Sequence, residues 1–344
     1  MNPPSGPRIF VHGTGAVSPA GWDAAALSAA LAAGTPYPVT TVDGGAGRQF
    51  DLRKVPVPTV RPTALQHPRL RRSSVISHFA VSAALEALGG SRLPDGVAPE
   101  RLGIICAVMG GGVIYSRRFF SEVLANPATA SPLLFPETVF NAPAAHLGAV
   151  LGATGPNYTC VGDQTGFVAG MGLAADWLSS HLVDACLVVG AEEADWLTAR
   201  ALSLFTPGLP AAEGGGALLL RRESSPVELD FITAPVPYLG TRSRTATARQ
   251  VRDQLPAGDA RDLLVDSLGA VRSDAAEKAA WKEWPGARVS PRRILGEGFG
   301  AGGAWACVAA VQSVVAGAHP RAWVQISGSN LQAMATGFAS THRS

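Results

Sequence analysis

The sequence predicts an α/β protein made of two related halves, each a sheet covered by helices. Three observations predict it. An apolar strand-like run, "RLGIICAVMGGG" (101–112), and a second buried strand carried by "HLVDACLVVGAEEA" (181–194) run into glycines or turns. They alternate with helix-like runs rich in small residues, such as "FVAGMGLAADWL" (167–178). The same alternation returns, more briefly, in the last third of the chain. Strands that are apolar at every position need cover on both faces, which is the α/β pattern. With 344 residues, the chain is long enough for two core-bearing units.

The elements follow in order. "RIFVHGTGAVSP" (8–19) is a short β-type run ending in a Gly/Pro turn. "GWDAAALSAALAAG" (21–34) is a helix that stops at Gly34, and "VSAALEALGG" (81–90) is another with glycine after its end. "GPNYTCVGDQTG" (155–166) reads as an extended run, a turn of small residues and the first residues of a helix. Such an elbow presents one side chain, here Gln164. "GGGALLLRRE" (214–223) is a further buried strand. After it, "DLLVDSLGAV" (262–271) gives a strand and loop, and "DAAEKAAWKEW" (274–284) a helix. "GAGGAWACVAAVQSVVAG" (300–317) is an apolar helix and "RAWVQISGSN" (321–330) a late strand. Residues 235–260 are polar and basic and read as loop with one short helix. The expected halves are residues 1–226 and a shortened 227–344.

Composition narrows the function. Hydrophobic residues make up 47% and charged residues 16%, leaving little polar surface for a monomer. A covering partner is expected. A formal charge of +2 suggests neither nucleic-acid steering nor a basic membrane patch. The four cysteines have no metal-ligand spacing, so no metal is expected. Cys106, Cys186 and Cys307 sit in apolar runs and read as buried small hydrophobes. No signal-peptide core is present, and no apolar run reaches the roughly 20 residues a membrane span needs. A cytoplasmic protein without membrane contact is expected. "GTGAVS" and "GEGFGAGG" lack the Lys-Ser/Thr or acidic partner of a nucleotide loop, so no cofactor is expected.

Seven stretches, in order, resemble the β-ketoacyl synthases of the thiolase fold. They are "VHGTGAVSPAGWDAAALSAALAAG", "GPNYT" with its elbow, "VVGAEEA", "EGGGALLL", "VDSLGAVRSDAAE", "GEGFGAGGAWACVAAV" and "ISGSN". The resemblance implies a thiolase-like fold with two pseudo-duplicated halves in five layers, α-β-α-β-α. In that family a Cys thiolate at a helix N-terminus takes the acyl group. Two His residues assist decarboxylation of the extender and stabilise its enolate.

Carried over by position, all three catalytic residues are changed. The nucleophile position falls on Gln164. Counting back from Asp274 and Glu277, the first His position falls on Asp266. The Gly-His pair becomes Gly296-Glu297, and the Lys upstream becomes Arg292. Ionised Asp266 and Glu297 are acceptors only and would repel an enolate. An amide cannot form an acyl-enzyme. Cys160 lies four residues before Gln164, in what reads as a buried strand away from any activating group. The seven His residues (His12, His67, His78, His146, His181, His319 and His342) miss the catalytic positions.

A Gln at this elbow resembles two kinds of ketosynthase-like protein. One is the chain-length factor (KSβ) subunit of type II polyketide synthases. It is catalytically inactive and heterodimerises with a Cys-containing ketosynthase to shape the polyketide tunnel. The acyl carrier protein then docks mainly on the partner. The other is a malonyl-carrier decarboxylase using Gln164 in place of Cys, which needs the His pair absent here. A homodimeric acyltransferase or scaffold is the remaining alternative. The first reading is preferred. On it, "VIYSRRFFSEVL" (113–124) corresponds to the tunnel-gate helix, with Ser116 and Phe120 the best matches and Tyr115 and Phe119 their neighbours. The short second half favours a highly reducing, polyene-type pathway over an aromatic one.

Overall fold

The computed structural model describes residues 7–60, 62–237, 244–329 and 332–341. His342 and the last residue of "ISGSN" lie outside them. The first half contributes strands Phe10–Val17 (β1), Leu102–Val108 (β2), Asn157–Val161 (β3), Ala185–Glu192 (β4) and Gly214–Arg221 (β5). They lie in the order β3-β2-β4-β5-β1. The second contributes Val227–Ile232 (β6), Leu263–Val265 (β7), Ala287–Val289 (β8), Arg321–Ser327 (β9) and Gln332–Ser340 (β10), in the order β8-β7-β9-β10-β6. Shifting each label by five converts one order into the other. The strand directions match too, parallel at the β2 and β7 positions and antiparallel at β5 and β10. The two half-sheets join where β1 pairs with β6, Phe10 opposite Glu228.

Among the described residues, ten α-helices complete the layers: Ala24–Ala33 (α1), Val75–Ala87 (α2), Val113–Ala125 (α3), Ala142–Leu151 (α4), Gln164–Ser179 (α5), Trp196–Phe205 (α6), Arg244–Asp253 (α7), Ala275–Ala280 (α8), Pro291–Leu295 (α9) and Phe299–Val315 (α10). The helices α5 and α10 pack on each other between the half-sheets and form the central core with Phe167, Met171 and Trp305. Helices α2 and α4 cover the outer face of the first half. The outer layer of the second half contains α7, α8 and a Trp281–Trp284–Trp323 cluster. This is the five-layer arrangement the resemblance implies. The expected 226/227 division falls between β5 and β6.

Local chemistry explains the opening segment. A Cβ at Gly13 or Gly15 would lie 1.9 or 2.0 Å from the carbonyl oxygens of Ala87 and Ala83, so glycine lets α2 rest directly on β1. Glu86 of α2 accepts from the amides of Ala16 and Ala24, both at 2.8 Å, pinning the strand-to-helix turn. Asp23 caps α1 by accepting from Ala26 N, and Gly34 ends it at φ 68°.

The sequence reading needs two corrections here. The strand β3 is not buried: it is the edge of the sheet, and its residues are half-buried or exposed. A small second sheet pairs Thr40–Asp43, Gln49–Arg53 and Ala211–Ala212, and no local pattern had announced it.

Candidate functional site

The elbow forms as the sequence suggests. After β3 and Gly162, Asp163 caps α5, its Oδ1 accepting from Thr165 N at 3.0 Å and Thr165 Oγ1 at 2.7 Å. Gln164 is therefore the first residue of α5, at the positive end of the helix dipole. Its side chain is buried rather than offered to solvent.

Glu297 comes from the segment joining α9 to α10. Its backbone is held by two bonds to the segment 210–212: Glu297 N donates to Pro210 O at 2.9 Å and Ala212 N to Glu297 O at 2.8 Å. Its carboxylate is 1% exposed and collects three donors. Gln164 Nε2 donates to Oε1 at 2.9 Å, Phe299 N to Oε1 at 2.8 Å and Arg292 Nε to Oε2 at 2.7 Å. Arg292 is itself buried, and its Nη1 reaches Ser267 O at 3.2 Å. The ion pair of Arg292 and Glu297 is thus satisfied on both sides, the condition for tolerating buried charge. Phe299 adopts a φ of 44°, unusual for a residue with a side chain.

The glycines of "GEGFGAGG" now have a packing role. A Cβ at Gly303 would lie 2.3 Å from Gln164 O, and one at Gly302 3.3 Å from Gln164 Nε2. They let α10 lie against the start of α5.

Asp266 stays outside this network. Its Oδ1 accepts from Leu268 N at 3.2 Å, and its side chain bonds Ser290. Burial raises its pKa. Its neighbour Ser267 makes the link instead. The Ser267 carbonyl holds Arg292, while its amide and hydroxyl donate to the buried Glu277 at 2.9 and 2.6 Å. Of Gln164, Asp266 and Glu297, the fold brings the first and the last together.

Burial also raises the Cys160 pKa, against a thiolate, and no histidine bonds it in the described structure. His146 is a buried partner of Glu137, Nε2 to Oε1 at 2.7 Å. Glu192, at the end of β4, is pushed up to about 8. Its burial is the main cause, and nearby Glu193 and Glu297 add to it. The amides of Met109 and Gly110, donating at 2.9 and 2.8 Å, act against it. No group of metal-binding side chains occurs among the described residues. None of the described helices is long and apolar enough to cross a membrane.

The gate candidates lie on α3, which buries none of its side chains. Tyr115 Oη donates to Arg72 O at 2.9 Å, and Phe119 meets Phe135 edge-on at 5.7 Å. Ser116 is half-buried, and Phe120 is 64% exposed.

Comparison with known proteins gives a consistent picture. Residues 61–225 match the model of the beta-ketoacyl synthase N-terminal domain. No curated protein sequence matches the chain. Among solved structures, the ishigamide ketosynthase/chain length factor superposes with TM-score 0.82 at 20% identity, covering 97% of this chain and 99% of that one. A beta-ketoacyl synthase from Burkholderia phymatum gives TM-score 0.82 at 15% identity, with 98% and 100% covered. A ketosynthase in complex with its chain length factor, from Xenorhabdus doucetiae, gives 0.78 at 14%, with 97% and 98% covered. At these identities the structural likeness is one of fold. Residues 61–225 thus match the β-ketoacyl synthase N-terminal domain, and the chain as a whole has the thiolase-like ketosynthase fold.

Proposed function

We infer that this chain is the catalytically silent, chain-length-factor-type subunit of a type II polyketide ketosynthase. The observation that carries the reading is Gln164. It stands at the nucleophile position of the elbow and commits its amide to Glu297. It offers no sulfur or hydroxyl to acylate. The carboxylate beside it cannot donate to an enolate oxygen. Decarboxylation by the Gln164 amide is disfavoured for the same reason, since that amide donates to an internal anion.

The partner is a Cys-containing ketosynthase, and the acyl carrier protein engages mainly that partner. The exposed edge of β3 and the uncovered α3 support this part. On this reading Tyr115, Ser116, Phe119 and Phe120 line the tunnel gate, with the bulky Phe120 favouring a short or moderate product. The shortened second half, residues 227–344 in the proposed division, favours a highly reducing, polyene-type pathway.

The deciding experiment compares the purified chain with the reconstituted pair. The chain alone should neither condense nor decarboxylate malonyl-carrier protein, and it should form a complex with its ketosynthase. Decarboxylation by the isolated chain that Gln164→Ala abolishes would sink the reading. Phe120→Ala in the active pair should lengthen the product, and an unchanged product would remove Phe120 from the gate.

A further inference from the structure

Glu297 does more than replace a histidine. Its carboxylate touches the first residue of α5 through the Gln164 amide and the first backbone amide of α10 through Phe299 N. The start of α10 thus gives this carboxylate a backbone N–H, and the start of α5 gives it a side-chain amide. Arg292, buried and fixed by Ser267 O, supplies the counter-charge. A neutral amide, a backbone N–H at a helix start and a guanidinium converging on one point make a receptor for a carboxylate. Here the receptor is filled by a side chain of the same polypeptide.

A cavity opens on the Arg292 side of this site, and Gln164, Glu297 and Phe299 do not line it. It has a volume of about 360 Å³, reaches Arg292 and is lined by Phe205, Thr206, Arg244, Ser273 and Ser327 as well. Among the described residues no carboxylate lines it, so its polar side chains are hydroxyl and cationic. An anion in this cavity would meet Arg292 already neutralised.

We propose that Glu297 is a tethered anion occupying a carboxylate-binding site shared by α5, α10 and Arg292, and that it bars carboxylate-bearing acyl groups from this chain. This rests on reading the elbow as a silent active-site position. The ligand class of the vacated site is a small carboxylate, with acetate as the simplest probe and malonate as the substrate-like one.

The test is thermal unfolding of the native chain and three variants, with its partner bound if the pair is obligate, at fixed ionic strength. The additives are acetate, malonate, chloride and neutral acetamide. The native protein should respond alike to all four. Glu297→Ala should melt lower and recover progressively with acetate or malonate only. Its apparent acetate affinity should fall about tenfold or more when Arg292→Gln is added, as for loss of a charge-assisted bond. Glu297→Gln fills the space without charge, so it should melt below native and ignore acetate.

Recovery of Glu297→Ala by chloride or by nothing overturns the proposal. So does a native protein selectively stabilised by carboxylates. If Glu297→Ala does not fold even in acetate, Glu297→Gln decides: native-like stability overturns the proposal, and lowered, acetate-blind stability supports it. None of these readouts involves ketosynthase binding or product length. The proposal and the subunit reading therefore fail separately.

Discussion

At the scale of single residues, the site is defined by what Gln164 holds. Replacing it with cysteine should not restore acylation. The thiol would sit beside the Glu297 carboxylate, which favours the neutral form, and no imidazole among the described residues is bonded there. Intact-protein mass spectrometry after incubation with an acyl thioester should show no adduct on Gln164→Cys. Gln164→Ala removes one donor from a buried carboxylate and should cost about 2 kcal/mol in chemical denaturation. Glu192 makes a pH prediction. Its folded pKa, about 8, lies above the ordinary value of 4.5. The folded state therefore binds the proton more tightly than the unfolded one, and stability falls as pH rises from about 4.5 to 8. Glu192→Gln should flatten that part of the melting-temperature profile, and an unchanged slope would assign it to other groups. The residues legible in advance were those set by local turns. Gln164 follows from the small-residue elbow and its Asp163 cap. The contact to Glu297 spans 133 positions and leaves no local mark. The position of Asp266 rested on a count across a loop that holds Ala270 at φ 60° and a one-turn helix at Arg272–Asp274. Any change in such a loop shifts the register, and Ser267, not Asp266, carries the link to Arg292.

At the scale of elements, the central helices were readable and their approach was not. Small residues along α10 announce close packing but do not name the neighbour. The structure supplies it: Gly303 faces the Gln164 carbonyl at a distance a Cβ could not share. Gly303→Ala should force α10 away from α5 and cost about 2 kcal/mol or more, the usual penalty of overpacking a rigid contact. The loss should appear in denaturant titration, and a neutral result would mean that the two helices can separate freely. The strand β3 was misread for a topological reason. "NYTCV" reads as buried from its place before the elbow, and local composition cannot say whether a neighbour lies on both sides. The order β3-β2-β4 leaves one side open. The pairing of Gln49–Arg53 with Ala211–Ala212 was invisible for the same kind of reason, being wholly non-local.

At the scale of the molecule, an apolar composition must be reconciled with an exposed surface. Tyr158 and Val161 on β3 are 53% and 57% exposed, and Leu124 on α3 is 77% exposed. Phe120, Leu133 and Phe135 are also exposed. An uncovered strand edge and a helix with no buried side chain are costly features for a monomer. A partner that continues the sheet would satisfy the free edge and cover the apolar side chains together. A stable interface of that kind buries on the order of 2,000 Å² or more. Val161→Glu separates interface from core. Val161 contributes little to the chain's own packing, so the variant should match native stability to within about 0.5 kcal/mol. Set against the partner, the buried carboxylate would be unpaired, and affinity should fall about tenfold or more. Light scattering and titration calorimetry of the pair would measure both numbers. If the variant binds the ketosynthase as tightly as native, β3 is not the contact. If it unfolds the isolated chain, β3 belongs to the core after all.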